Sequence, residues 1–412
     1  MSHDSLTAGR ATLRAGEAVP AREFADLRRE MLLRGCKWDP QVGDEATLAP
    51  FPLLLARSAW RQLAAWTEQL ARELMEAEAE LLARPDLHRT LGVPARIRRA
   101  LREAGGKNNA APRILRFDFH PLVGGDWRIS EVNSDVPGGF TEASTFPRLM
   151  APQHPGAVPA GDPAAAWANA LARCAGAGGV VALLAAPGHL EDQQIVAFLA
   201  KLLRDRGIVA HPAEPRLLRW RDGRAFLEAA WHRGPLDLVV RFFQAEWCAT
   251  LPEECGRRHF FAGAVTPVAN TGAAVLTENK RFPLAWPALR APLTLWRELL
   301  PESRDPRHAP WPESDWLLKR AYSNTGDAVC HRAWMSPAAW RRVAWEARLL
   351  PRRWVAQRRF DTTPLATPRG PRFPCLGVYA IDGRACGIYA RLGAGPVVNY
   401  EATDAAVLIE ED

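Results

Sequence analysis

Two short segments of this 412-residue chain carry polar side chains at a spacing suited to holding a cation. In RILRFDF, residues 113–119, Leu115, Phe117 and Phe119 alternate with Arg116 and Asp118. In a strand the two polar side chains therefore share one face. In WRISEVN, residues 127–133, Glu131 and Asn133 share a face in the same way. Val123-Gly124-Gly125-Asp126 between them is a turn signal. A turn centred on Gly124-Gly125 predicts Asp118 opposite Glu131 and Arg116 opposite Asn133. Two carboxylates so placed have Cβ atoms about 4.5–5.5 Å apart, which destabilises a sheet. Something must compensate. Arg116 is one candidate and a hard divalent cation the better one, because Mg²⁺ takes carboxylate and amide oxygens together with phosphate oxygens of a substrate.

Lysine is scarce, occurring only at positions 37, 107, 201, 280 and 319. Lys280 closes Thr277-Glu278-Asn279-Lys280, where a helix is expected to open after a loop. Lys319 ends the predicted strand DWLLKR, residues 315–320, and leads into Ser323-Asn324-Thr325-Gly326-Asp327. An ammonium followed by a loop of small residues suits an anion, with backbone N–H groups closing over it. Neither a GxxxxGK[ST] loop nor a GxGxxG after a strand occurs. Arg391 ends another predicted strand. Gln357, in WVAQRRF, could accept from and donate to an adenine edge. No GxSxG or HExxH is present, and the ten histidines are dispersed. His189, after Ala186-Pro187-Gly188, reads as a loop or capping residue.

The elements that position these residues follow from periodicity. The first fifty residues read as irregular, with helical pieces around Ala21–Arg34. From Leu53 to Leu82 leucines and tryptophans recur at three-to-four spacing, predicting one long helix ended by Arg84-Pro85-Asp86. Residues 151–168, rich in Pro, Ala and Gly, read as a loop or crossover. An apolar strand at 178–186, a helix at 190–206 and a strand at 208–213 form a βαβ unit, with a further buried strand at 236–243. Pro283–Leu300 reads as helical. Strands are expected at 355–357, 375–380 and 385–391, the last two joined by the Asp382-Gly383 turn.

Composition narrows the function. The chain is 48% hydrophobic and 24% charged, as globular proteins are. No apolar run reaches the ~18–20 residues of a membrane span, and Met1-Ser2-His3-Asp4 lacks the order of a signal peptide. Seven cysteines, none in a CxxC, argue against a disulfide framework or a structural zinc site. A cytoplasmic protein is expected. The net charge of +7 is mostly arginine. Without any nucleic-acid-binding motif it reads as solvated surface, so neither nucleic acid nor membrane is an expected partner.

Four stretches resemble the glutathionylspermidine synthase-like family of ATP-grasp ligases: RFDFHP…WRISEVNSDVPGG, LTENKRFPLAW, WLLKRAYSNTGDAV and FPCLGVYAIDGRACGIYARLG…ATDAAVLIEED. The resemblance implies a mixed α/β (α+β) fold in which an ATP-grasp domain joins a Rossmann-like pre-ATP-grasp layer. It implies an N-terminal mainly helical segment at 1–110, a metal-binding hairpin at 111–150, the Rossmann-like region at 175–270 and the nucleotide-binding region at 271–412. The implied chemistry is activation of a carboxylate by ATP to an acyl phosphate, then attack by an amine. ATP and Mg²⁺ are the implied cofactors. A small-molecule or short-peptide acid and an amine are the implied substrates.

Carried over by position, Asp118, Glu131 and Asn133 match the magnesium ligands, and Arg116 matches the arginine facing the transferring phosphoryl group. Lys280 and Lys319 match the ATP-binding lysines, Gly326 falls in the ATP loop, Gln357 matches the position beside adenine, and Arg391 the late arginine near the phosphates. Val136-Pro137-Gly138-Gly139 would present N–H groups to an acyl phosphate. The segment after Lys319 reads RAYSNTG where the family carries a Pro/Gly-rich run. No amidase domain is expected, which leaves the synthetase part alone. An ATP-binding relative that does not ligate, kinase-like or a binding module, is the alternative.

Overall fold

The computed structural model describes residues 12–39, 41–42, 45–105, 111–262, 264–312, 315–323 and 328–412. At its centre lies a five-stranded antiparallel sheet in the order Thr403–Ala405, Arg384–Gly393, Phe373–Ile381, Ile114–Pro121, Trp127–Asn133. Its two faces differ in chemistry. Leu115, Phe117, Phe119, Leu376, Val378 and Ile388 enter the main hydrophobic core, where the helix Arg57–Ala83 supplies Leu63, Leu70 and Leu74. Each fully buried leucine contributes about 1.5–3 kcal/mol. The opposite face carries Arg116, Asp118, Cys375, Tyr389 and Arg391 and lines a cavity.

The long helix also carries buried acids that anchor its neighbours. Glu73 accepts the backbone N–H groups of Leu295 and Trp296 at the start of the helix Thr294–Leu299. Glu78 pairs with Arg113 at 2.8 Å and accepts the Thr277 hydroxyl at 2.8 Å. The helix begins at Arg57, later than periodicity predicts. Leu53–Ala56 is a strand, sandwiched between Leu13–Ala15 and the C-terminal strand Val407–Glu410. All four of its residues are buried, so its apolar run has no polar face to mark it as a strand.

The βαβ unit is present. Val180–Ala185, Val209–Ala213, Leu238–Phe242 and Val268–Ala269 form a parallel sheet, with Leu190–Arg204 crossing between the first two. The segment read as a loop at 151–168 holds a strand, Ala157–Pro159, and the start of a helix, Pro163–Ala175. That helix is opened by Pro163 and capped by Asp162, which accepts the Ala165 N–H at 2.9 Å.

An antiparallel sheet of Ser303–Arg304, Trp354–Arg358, Trp316–Arg320 and Val329–Cys330 packs on the helix Pro337–Leu349 through Trp311, Trp316, Leu318 and Ala347. Pro283–Leu300 is not one helix. A 3-10 helix, Phe282–Ala288, is followed by a break and then by Thr294–Leu299, because Pro287 and Pro292 remove backbone donors. Among the described residues no helix is long and apolar enough to cross a membrane.

Candidate functional site

The hairpin Ile114–Pro121/Trp127–Asn133 places Asp118 opposite Glu131 and Arg116 opposite Asn133, the pairing that alternation predicts. The route to that register differs. Near the tip Phe119 pairs with Ile129 and Pro121 with Trp127, so the turn is centred on Gly124 rather than on Gly124-Gly125. A bulge at Ser130 inserts one residue and restores the pairing at the site.

The two apposed carboxylates each have their own cation. Arg116 bonds Asp118 through Nε–Oδ1 at 2.7 Å and Nη2–Oδ2 at 3.0 Å. Asn133 adds Nδ2–Oδ2 at 3.0 Å. Lys280 reaches Glu131 Oε2 at 3.0 Å and donates to the Ser323 carbonyl at 2.6 Å. Burial opposes ionisation of Glu131, yet Lys280 and Lys319 together hold its carboxyl below the ordinary value. Burial works against Lys280 too, and Glu131 and Glu278 more than offset it, so its ammonium is held above the ordinary value. Lys319 is different. Its Nζ lies 3.4 Å from the Ser130 carbonyl, and burial, reinforced by Lys280 and opposed by Glu131, brings it down to about 8.

Arg116 also donates to the Gly138 carbonyl at 3.1 Å and lies over the Tyr389 ring, 5.3 Å from its centroid. Gly377, opposite Asp118, makes room for this. A Cβ there would sit 2.8 Å from both Arg116 Cδ and Tyr389 Cε1. The Gly138 carbonyl accepts the Tyr379 hydroxyl as well, which ties the loop 134–139 to the sheet. Arg391 donates to the Asn399 carbonyl at 2.7 Å, with Asp404 at 3.9 Å.

Arg116, Asp118, Glu131, Asn133, Lys319 and Arg391 all line one cavity of about 610 Å³. Lys280 and Gln357 open instead on an adjoining recess, which shares Ser130, Glu131, Glu278 and Lys319 with the cavity. Gln357 donates to Ser303 Oγ at 3.2 Å, and its buried Oε1 has no hydrogen-bond partner among the described residues. Gly326 lies outside the described residues.

Among the described residues no group of three or more His, Cys, Asp or Glu side chains is poised for a metal. The donor set at the hairpin is oxygen only. Glu131 Oε1 and Asn133 Oδ1 accept no hydrogen bond from a described residue, and with the Asp118 carboxylate they are hard donors of the kind Mg²⁺ takes. The residues fit that ion.

Sequence reading missed several groups. Lys37, 5% exposed, pairs with Glu142 and lies 3.3 Å from Asp39 and 3.4 Å from Asp404. Burial raises Asp404 despite that lysine. The scarcity of lysine that singles out Lys280 and Lys319 applies equally to Lys37 and was the available signal. Asn270 reaches the carbonyls of Ile114, Ser134 and Asp135 at 2.7–2.9 Å, joining the parallel sheet to the hairpin. Arg241, fully buried, pairs with Asp135. Glu278 accepts the N–H groups of Ser134 and Asp135.

A solved structure described as a glutathione synthetase like-effector from Globodera pallida, in apo form, superposes with a TM-score of 0.61 at 13% identity, covering 94% of this chain and 96% of that one. At that identity the likeness is one of fold, and the fold is the mixed α/β, ATP-grasp-like one expected. No curated protein matches the chain. The family described as glutathionylspermidine synthase preATP-grasp matches residues 53–410, which takes in the hairpin, both lysine-bearing segments and the C-terminal strands. The chain belongs to the glutathionylspermidine synthase preATP-grasp family.

Proposed function

We propose that the chain is an ATP- and Mg²⁺-dependent carboxylate–amine ligase working through an acyl phosphate. The observation that carries this reading is one cavity gathering Arg116, Lys319 and Arg391 with Asp118, Glu131 and Asn133, while Lys280 holds Glu131 from the adjoining recess. Such a pattern suits a polyphosphate with its counter-cation. Lys280 and Lys319 hold the phosphates, and Arg391 approaches them from the far strand. Arg116 offsets the charge that develops as the phosphoryl group passes to the substrate carboxylate. Asp118, Glu131 and Asn133 would hold Mg²⁺, which when bound would offset negative charge on the phosphates. Gly138 and Gly139, lining the same cavity, border the acyl group.

None of the seven cysteines is joined in a disulfide, in keeping with work in the cytoplasm. The family name joins a glutathionyl group to spermidine, so glutathione and spermidine are the first acid and amine to try. Pairing of both carboxylates within the chain favours a second reading, in which nucleotide binds without ligation.

The test is release of ADP and phosphate from ATP, with mass spectrometry for the amide. Release that needs both glutathione and spermidine supports the ligase. Release indifferent to acid and amine, or nucleotide binding without release, supports the second reading.

A further inference from the structure

The cavity contains a carboxylate to which the proposed reaction has so far given no role. Glu278 ends the short helix Val275–Glu278 and lines both the cavity and the recess, in company with Glu131 and Lys319. Its Oε2 accepts two backbone N–H groups, from Ser134 at 2.5 Å and Asp135 at 3.0 Å. These residues directly follow Asn133, so the carboxyl is fixed beside the hairpin end. Its Oε1 accepts no hydrogen bond from a described residue. One oxygen is pinned, and the other is left for whatever occupies the cavity.

A carboxylate-amine ligase needs such an oxygen. An alkylamine enters as an ammonium ion and must lose a proton before its nitrogen can attack. Most other cavity carboxylates are already engaged. Asp118 is held by Arg116, Glu131 by Lys280, Asp135 by Arg241 and the Ala245 N–H, and Glu142 by Lys37. Glu246, on the short helix Ala245–Cys248, and Glu191 and Asp192, in the first turn of the helix Leu190–Arg204, also line the cavity, but none of the three is pinned by backbone N–H groups of another element as Glu278 is.

We propose that Glu278 is the general base of the amine step, an inference that rests on the ligase reading above. Its free oxygen takes a proton from R–NH₃⁺, giving the neutral amine and a carboxylic acid. The nitrogen then attacks the acyl carbon. The C–N bond forms, and the bond from that carbon to the bridging phosphate oxygen breaks. Phosphate leaves with the electron pair and takes the second N–H proton, and Glu278 returns its proton to water. Burial, reinforced by Asp135 and opposed by Lys280, pushes Glu278 up to about 8. That value lies between the carboxylate range and an ammonium near 10, where a base can serve at neutral to mildly alkaline pH. The other charged groups on the wall shared by cavity and recess are Glu131 and Lys319, with Lys280 in the recess beside them and Asp135 and Glu246 in the cavity.

The experiment compares wild type, Glu278→Gln and Glu246→Gln with ATP, Mg²⁺ and glutathione against two nucleophiles. Spermidine is protonated at pH 7, whereas hydroxylamine is neutral there and needs no base. Glu278→Gln is expected to lose about 100-fold or more with spermidine while hydroxamate formation stays within about threefold of wild type. Unchanged spermidine turnover in Glu278→Gln, or this pattern in Glu246→Gln instead, overturns the proposal. If Glu278→Gln fails with both nucleophiles, the wild-type pH profile decides. A spermidine rate that levels off above about pH 8 supports Glu278, and one that climbs on toward the ammonium value near 10 overturns it. A wild type that makes neither product contradicts the ligase reading itself, a failure visible before any variant is compared.

Discussion

Arg116 holds Asp118, its neighbour two positions along the same strand, with two parallel hydrogen bonds of 2.7 and 3.0 Å. The bidentate grip neutralises one member of the apposed carboxylate pair, and Lys280 neutralises the other. The repulsion expected between Asp118 and Glu131 is therefore cancelled within the chain.

This changes what removing Glu131 should do. Glu131→Gln strips Lys280 of its partner rather than relieving repulsion, so the variant should lose about 1–3 kcal/mol at pH 7. The folded-state value of Glu131 lies below its ordinary 4.5, so the pair stabilises fully above that pH and fades as pH falls through the folded value. Thermal melting at pH 7 and at pH 3.5 checks this. The gap from wild type should narrow in acid. Equal melting temperatures at pH 7 would show that Lys280 does not depend on Glu131.

Lys319 makes nucleotide binding pH-dependent. With its value at about 8, the ammonium is roughly half neutral at pH 8, and a phosphate beside it restores the charge. ATP binding at pH 8 should take up about half a proton, and affinity should fall as pH rises further. Calorimetry in two buffers of different ionisation enthalpy measures the uptake. Lys319→Met should abolish it. Binding without proton uptake in the wild type would remove Lys319 from the phosphate site.

The cations should also separate kinetically. Lys280→Ala and Lys319→Ala should raise the KM for ATP about 10- to 100-fold, the worth of one charge-assisted contact. Arg116→Ala should lower kcat by a similar factor, because its contact with the phosphoryl group strengthens in the transition state. Steady-state rates with saturating acid and amine decide. An Arg116→Ala enzyme with full kcat would confine Arg116 to holding Asp118.

Arg281 ties the Lys280 segment to the strand Trp354–Arg358, which pairs with the Lys319 strand. Its guanidinium reaches the carbonyls of Thr90, Pro351 and Trp354 and pairs with Asp305 at 2.8 Å. Burial pulls its own value down, and the two arginines at 281 and 307 hold Asp305 well below the carboxylate range. Arg281→Met leaves Asp305 and three carbonyls without this donor and should cost about 3–5 kcal/mol. Urea unfolding measures it, and a loss under 1 kcal/mol would show that the contacts add little.

Local alternation was enough to read the hairpin, because Arg116, Asp118, Glu131 and Asn133 lie on two adjacent strands joined by a short turn. The Ser130 bulge left no mark in the sequence, and the pairing came out as expected because the shifted turn and the bulge offset one another. The strand Leu53–Ala56 was absorbed into the following helix because burial on both faces removes alternation. Lys37, Asn270 and Glu278 meet partners more than 100 residues away, and no local pattern carries such pairings. Gln357 was legible as a polar residue in a strand, but not as one that opens on the recess beside Lys280.

The central claim is passage through an acyl phosphate, and oxygen transfer tests it most directly. Glutathione labelled with ¹⁸O in its carboxylates is incubated with the protein, ATP, Mg²⁺ and spermidine, and the released phosphate is analysed by mass spectrometry. The account predicts one ¹⁸O in each phosphate, in step with ADP and amide. Unlabelled phosphate released at the same rate with or without glutathione would contradict it.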